Sequence, residues 1–435
     1  MTPRDGIATL PERPNLLVAV AAQFRRKDPG AMVLNGSIIM LLSSILVSLL
    51  NFAFNAVMAR MLGPSRFGHV TASVTLLMLA SSVTLSFQLV CAKFVARNQT
   101  PGAKAGVYRT LLGKAWMISL ALGGALLAAR MRIASYLNLP DPRILAVLAI
   151  GIAVYVPLGV RRGAMQGLCS FRRLSASFII EAVTRLFTAT VLVILGYGVL
   201  GAVGAISAAV LAAYFFPPLG PELRVKTEAG DPASFGEGIQ AIVFFVGQVI
   251  ISNVDILLVK HFFAAELAGL YAAVALVGRL LYFASWSVIS AMFPVTAAVK
   301  QKEENPKVVL VPLLLVLVLA VAFILTLSLF PHLIIHAVFG VEFHQGEPLL
   351  ALYAAATGIY SLSVVIMAYE MSRRIANTGW LQLVFSGVLV LAISVLHNTL
   401  RQVITVQIVL MALMLVLVLL PFLRRHKLAL SAEAA

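Results

Sequence analysis

The sequence predicts an all-α polytopic membrane protein of about twelve transmembrane helices in two pseudo-symmetric six-helix lobes. Three observations predict it. The 435 residues are 61% apolar and 11% charged, with a mean hydropathy of +0.99. Soluble domains hold about 45–50% apolar and about 25% charged residues, so this chain could not cover its own surface against water. The apolar residues also fall in runs of about 20, the length one helix needs to cross a bilayer. Lastly, Lys and Arg collect on alternate connections, as the positive-inside rule requires.

The composition excludes several classes. A soluble enzyme, a disordered chain and a nucleic-acid binder do not fit, despite a formal net charge of +16. Residues 1–32 form a basic N-terminal tail whose apolar stretch, Leu16 to Ala22, is too short to span. Arg25-Arg26-Lys27 follows that stretch where a signal peptide would need a small-residue cleavage site. The predicted N-lobe, 33–216, has spans at 33–58, 67–90, 110–130, 144–160, 174–195 and 199–216. A linker at 217–238 follows. The predicted C-lobe, 239–423, has spans at 239–260, 268–292, 308–330, 349–370, 379–397 and 402–423, and the tail is 424–435. Breakers such as Gly63-Pro64, Gly196-Tyr197-Gly198 and Pro217-Pro218 separate them.

Orientation follows from the charges. Of 33 Lys and Arg, 24 lie on segments that face the cytoplasm if both termini are inside, and seven lie on outer segments. Arg185 and Arg279 are the two left within spans. Cys91 and Cys169 are too few for a disulfide framework and read as free thiols on the reducing side. Ala59 to Ser73 aligns weakly with Lys260 to Val274 at an offset of 201, which pairs Gly68 with Gly269. Two six-helix repeats in parallel, related by an axis along the membrane normal, follow from it.

Polar residues within spans are the informative ones, because lipid rejects them. Ser44, Ser48, Asn51 and Asn55 form one helical stripe on the first span. Gln248, Ser252 and Asp255 form another on the seventh. The two stripes are expected to face each other across a central cleft, with helix–helix hydrogen bonding as the plainer alternative. Asp255 needs a partner, a proton or solvent; Arg279 and Lys260 are the nearby cations. Glu181 and Arg185 stand at i, i+4 and can pair, or Arg185 can face the cavity with Glu181 orienting it. His332 and His336 are also at i, i+4, followed by Glu342, His344 and Glu347. No complete metal-site motif results, so interfacial packing is the reading taken and no metal is assigned. Phosphate-loop, H-E-x-x-H and G-x-S-x-G motifs are absent from the sequence.

Several segments resemble a known family. They are Ala59-Arg-Met-Leu-Gly-Pro-Ser-Arg-Phe-Gly68, Gly163-Ala-Met-Gln-Gly-Leu-Cys-Ser-Phe171 and Asn253-Val-Asp-Ile-Leu-Leu-Val-Lys260. Ala268 to Arg279, Met292-Phe-Pro294 and Gly340 to Leu350 add to them. Together they resemble the polysaccharide-biosynthesis flippases of the multidrug/oligosaccharidyl-lipid/polysaccharide (MOP) exporter superfamily. The resemblance covers roughly residues 33–370. It implies a V-shaped, two-lobed carrier working by alternating access in the bacterial plasma membrane. The implied substrate is a polyprenyl-diphosphate-linked oligosaccharide, moved from the cytoplasmic to the outer leaflet. The implied cationic cavity would use Arg185, Arg279, Lys260 and Arg60, with Asn51, Asn55 and Gln248 as polar contacts. Asp255 and Glu181 would serve ion coupling by H+ or Na+, or charge pairing.

The expected partners are the lipid-linked substrate, membrane lipids and polysaccharide polymerase machinery. The protein is expected to be a monomer with no cofactor and no nucleic acid. A cation-coupled small-molecule antiporter of the same superfamily is the alternative. A membrane-embedded polymerase or ligase is disfavoured, because the outer segments are short.

Overall fold

A computed structural model describes residues 29–228, 239–298, 307–372 and 378–433. Among the described residues every regular element is a helix. The predicted tail up to residue 28, the linker from 229 to 238, and the basic residues Lys300, Lys302, Arg373 and Arg374 lie outside these residues.

The first helix, α1 (Pro29–Arg97), would be about 100 Å long if straight, three times the hydrocarbon thickness. It reverses instead at Gly63, where φ is 70° and ψ 173°. Only glycine adopts that conformation without strain, and Pro64 then starts the second arm with no N–H to satisfy. Ser43 on the first arm meets Ser175 at the start of α4 (Phe171–Ile194), Oγ to Oγ 2.8 Å. Ala92 on the second arm approaches Gly167, just before α4 begins. Both arms therefore reach the same end, and α1 makes two crossings.

The remaining helices are α2 (Pro101–Tyr136), α3 (Arg143–Gly167), α5 (Gly198–Phe215), α6 (Ile239–Ile251) and α7 (Val254–Phe262). They continue as α8 (Ala265–Ala298), α9 (Lys307–Leu329), α10 (Pro331–Val338), α11 (Leu350–Ser372), α12 (Thr378–Val395) and α13 (Leu400–Glu433). A 3₁₀ segment, Val341–Leu349, joins α10 to α11. Among the described residues nine stretches are long and apolar enough to cross a membrane. The doubled α1, the broken α6–α7 pair and the shorter apolar α12 bring the crossings to the predicted twelve.

Several boundaries differ from the sequence reading, α13 running to Glu433 where a tail from 424 is expected, and three of them bear on the site. The stretch 91–109, drawn as the connection between the second and third spans, is helical except at residues 98–100. The second arm of α1 runs to Arg97 and α2 starts at Pro101, capped by Thr100 Oγ1 accepting from Ala103 N at 3.1 Å. The span drawn at 239–260 is broken at Ser252-Asn253. The span drawn to residue 160 continues to Gly167, because Arg162 finds a buried partner on α4.

Small residues set the closest helix contacts. Gly159, Gly163 and Gly167 recur every fourth residue on α3 and meet the carbonyls of Thr84, Gln88 and Ala92 on α1. This is the small-residue packing that lets transmembrane backbones touch. Helices α1 to α5 pack on one another, and α6, α8, α9, α11, α12 and α13 pack on one another. The main contacts between the two groups run through α1. The outward face is apolar, as on α9, where Leu310, Leu314, Val318, Val321 and Leu325 are exposed. We call the end that carries Gly63 the kink end, and the opposite one the linker end.

Candidate functional site

The break in the seventh crossing builds the first polar cluster. Asn253 leaves helical geometry, and its Nδ2 donates to the Val249 carbonyl at 2.7 Å. This places Asp255 in the first turn of α7, where the helix dipole favours a carboxylate. Arg279 of α8 donates to Asp255 Oδ1 at 2.9 Å and to Asn253 Oδ1 at 3.3 Å. Tyr271 and Tyr353 donate to Oδ2 at 2.9 and 2.8 Å. Gln407 of α13 donates to the Tyr271 hydroxyl at 2.9 Å. Asp255 is 1% exposed. Three donors share its carboxylate and the cluster is formally neutral, although among the described residues Arg279 Nε has no hydrogen-bond partner.

The second cluster lies in the other group of helices. Glu181 on α4 is buried between two guanidinium groups. Arg162 reaches Oε2 at 2.7 Å and Arg185 reaches Oε1 at 2.5 Å. Arg162 also donates to Ser177 Oγ and to its carbonyl, each at 3.1 Å, and sits 4.0 Å over the Phe178 ring. Arg185 donates to Asn51 Oδ1 at 3.2 Å. Two cations and one anion leave a formal charge of +1 in a setting where each charge is costly. Among the described residues Arg185 Nε has no hydrogen-bond partner.

Sequence reasoning placed Arg162 in a cytoplasmic loop and counted Arg185 and Arg279 as the intramembrane cations. The structure corrects this: Arg162 is buried in α3. The signal was available in the Gly163 and Gly167 spacing, which continues the helix past Arg162. Tyr271, Tyr353, Gln382 and Gln407 were missed as well; they are polar residues in apolar runs.

The two predicted stripes do not meet in hydrogen bonds. Asn51 and Asn55 stay with α1 and α4, Asn55 Nδ2 donating to the Asn51 carbonyl at 2.8 Å. Ser44 and Ser48 are exposed on the same stripe. Gln248 is buried and accepts from Gln382 Nε2 of α12 at 3.2 Å, while its own Nε2 donates to Ser252 Oγ. The second stripe thus turns into its own group of helices. The physical reason is that α11 and α12 offer polar partners at contact distance.

Arg60 and Lys260 lie at the kink end, away from the Arg185 cluster. Arg60 donates to the carbonyls of His336, Ala337 and Val338, with Nε to Val338 O at 2.9 Å. Lys260 is 1% exposed and donates to the Asn138 carbonyl at 3.3 Å. Both hold connections in place.

The kink end is closed tightly. A Cβ on Gly68 would stand 3.0 Å from the Ala265 carbonyl oxygen, and one on Gly269 would collide with that of Pro64. Phe67 packs on Phe339 and Phe343, ring centroids 6.3 and 6.0 Å away.

Residues 57–347 match the model of the polysaccharide biosynthesis protein family. The chain belongs to that family. None of the curated proteins compared matches it. Its fold is similar to that of solved MOP-superfamily transporters. One is an inward-facing multidrug resistance MATE transporter, TM-score 0.74 at 13% identity, covering 92% of this chain and 99% of that one. An outward-facing MATE transporter gives 0.61 at 15% identity, covering 94% and 98%. The MATE multidrug transporter DinF-BH in complex with R6G gives 0.63 at 14%, covering 92% and 96%. The family member described here is a multi-pass membrane protein with this transporter fold.

Proposed function

We propose that this member of the polysaccharide biosynthesis family is a flippase for a polyprenyl-diphosphate-linked oligosaccharide. It would move the substrate from the cytoplasmic to the outer leaflet of a bacterial plasma membrane by alternating access. The observation that carries the reading is the buried, net-positive Arg162–Glu181–Arg185 cluster. Arg offers planar, bidentate contacts to phosphate, and Glu181 holds both guanidinium groups in register. The serine and asparagine stripe of α1 would lead the sugar and diphosphate to Arg185, while the lipid tail stays in the bilayer. With the inside negative, outward movement is favoured by about 2.3 kcal/mol per anionic charge per 100 mV.

With the buried Arg162 taken out of the loops, 23 basic residues against seven still favour both termini inside, which would make the kink end the outer one. On that orientation the tight packing at Gly68 and Gly269 supports a carrier closed to the outside. A cation antiporter is less well supported, because it would want unneutralised carboxylates. Asp255 and Glu181 are each engaged by arginine.

The test is export in cells that depend on this chain. Arg185→Ala should cut surface polysaccharide by about tenfold or more, the loss of one charge-assisted anion contact. Lipid-linked units should accumulate on the cytoplasmic leaflet, with the protein still present in the membrane. Arg185→Lys should restore part of it. Unchanged export in Arg185→Ala and Arg162→Ala at wild-type protein levels would sink the assignment.

A further inference from the structure

The kink end carries a second cluster of ligating side chains that the proposed export path does not use. Helix α10 is short and sets His332 and His336 one turn apart on a single face, ring centroids 4.0 Å apart. Gly340 then reverses the chain at φ 98°. The reversal lets the 3₁₀ segment bring Glu347 back onto the two rings. Its Oε1 lies 3.0 Å from His332 Nδ1. One ligand atom from each of the three residues lies within 4.8 Å of the others.

We propose that His332, His336 and Glu347 form a binding site for a first-row transition-metal dication of the Zn2+ class. Bonds of about 2.0–2.2 Å in a tetrahedron separate the ligand atoms by roughly 3.3 Å. The His332–Glu347 pair, at 3.0 Å, is close to that separation. The side chain of His332 is 69% exposed and that of Glu347 20%, so a ring rotation brings the third ligand in without repacking the core. Two imidazoles and one carboxylate suit Zn2+, Co2+ or Ni2+; Mg2+ and Ca2+ take oxygen ligands. Three protein ligands leave a position for water on the exposed side. His344 is not part of the set: its ring does not come within 4.8 Å of all three ligand atoms, and its Nδ1 faces the Val341 carbonyl at 3.1 Å.

The placement gives the ion a structural consequence. It would staple α10 to the segment that follows. The same helix turn presents the carbonyls of residues 336 to 338 to Arg60. A bound ion would therefore stiffen the acceptor that Arg60 grips at the closed kink end.

The experiment uses the purified full chain in detergent with any affinity tag removed. Zn2+ is titrated by calorimetry, and Co2+ is followed by its visible absorption. One saturable site is expected. His332→Ala and Glu347→Gln should each weaken it by about tenfold or more, at least the loss seen when a mere supporting contact to a ligand is removed. His344→Ala should bind like wild type. A Zn2+-dependent rise in Tm, kept in His344→Ala and lost in the other two variants, reports the same site without calorimetry. Absence of saturable Zn2+ binding overturns the proposal and leaves His332–Glu347 as a hydrogen bond. Equal affinity in wild type, His332→Ala and Glu347→Gln overturns it too, by placing the ion elsewhere.

Discussion

Asp255 shows how a single residue can be read two ways until its neighbours are known. The sequence offers a carboxylate in a span, which can be a coupling site or half of an ion pair. The structure surrounds it with Arg279, Tyr271 and Tyr353, all as donors. Removing one partner of a buried pair leaves the other charged and unmatched, at a cost of about 3–5 kcal/mol. Asp255→Asn should therefore lower Tm clearly, and Asp255→Asn with Arg279→Met should recover much of the loss. Thermal unfolding of the four proteins in detergent measures this as a double-mutant cycle. If Asp255→Asn kept wild-type Tm and instead lost a sodium or pH dependence of transport, Asp255 would be a coupling site after all. Glu181 stands differently, because its two arginines leave a charge over. That surplus was invisible in the sequence. Arg162 follows Arg161 at the end of an apolar run, where a basic pair reads as topogenic charge; the Gly163 and Gly167 spacing extends its helix, but its pairing with Glu181 shows only in the distance to α4.

The elements were more legible than the side chains. Twelve apolar runs, the Gly63-Pro64 turn and the Gly196–Gly198 turn are all written in composition and breaker residues. The internal break at Ser252-Asn253 was not. Its residues are those of an ordinary polar stripe; at the break Asn253 Nδ2 takes up the Val249 carbonyl and Arg279 takes up the Asn253 amide oxygen and the Asp255 carboxylate. Helix length was also underestimated where charge begins, since a helix held by a neighbouring helix continues beyond its apolar run. The glycine row on α3 makes the clearest prediction at this scale. A Cβ at Gly163 would collide with the Gln88 carbonyl, whereas Gly113 and Gly124 on α2 have open space around them. Gly163→Ala should destabilise the α1–α3 contact by about 1–3 kcal/mol, the usual cost of overpacking. Gly124→Ala should be neutral or slightly stabilising by helix propensity. Comparing their Tm values with wild type checks both, and equal effects would mean that the close approach does not matter.

At the scale of the whole molecule, the weak repeat at offset 201 becomes a symmetry of contacts. Gly68 faces the Ala265 carbonyl, and Gly269 faces the Pro64 carbonyl. Adding 201 to Pro64 and Gly68 gives Ala265 and Gly269, so each half makes the same contact to the other. Such reciprocity is the mark of a two-fold relation. It extends outward. Arg60 grips the carbonyls around Ala337, while its counterpart His261 meets the Tyr136 carbonyl through Nδ1 at 2.6 Å. Residues 136 and 337 are again 201 apart. The Tyr136 and His261 rings stack at 3.7 Å, and Asn138 donates to the His261 carbonyl at 3.0 Å. Each half thus clasps the end of the other's connection. A carrier that alternates must release both clasps together, because one rigid-body motion opens both. Arg60→Ala and His261→Ala should therefore each shift the population towards a state open at the kink end. Loss of one clasp, about 1–3 kcal/mol, is about fivefold or more in that equilibrium. Spin labels on the two halves at the kink end, read by pulsed electron resonance, should show a longer-distance component in either variant. The component should be larger in the double variant. An unchanged distance distribution in all three would mean that the glycine contact alone sets the closure, and that the clasps only order their loops.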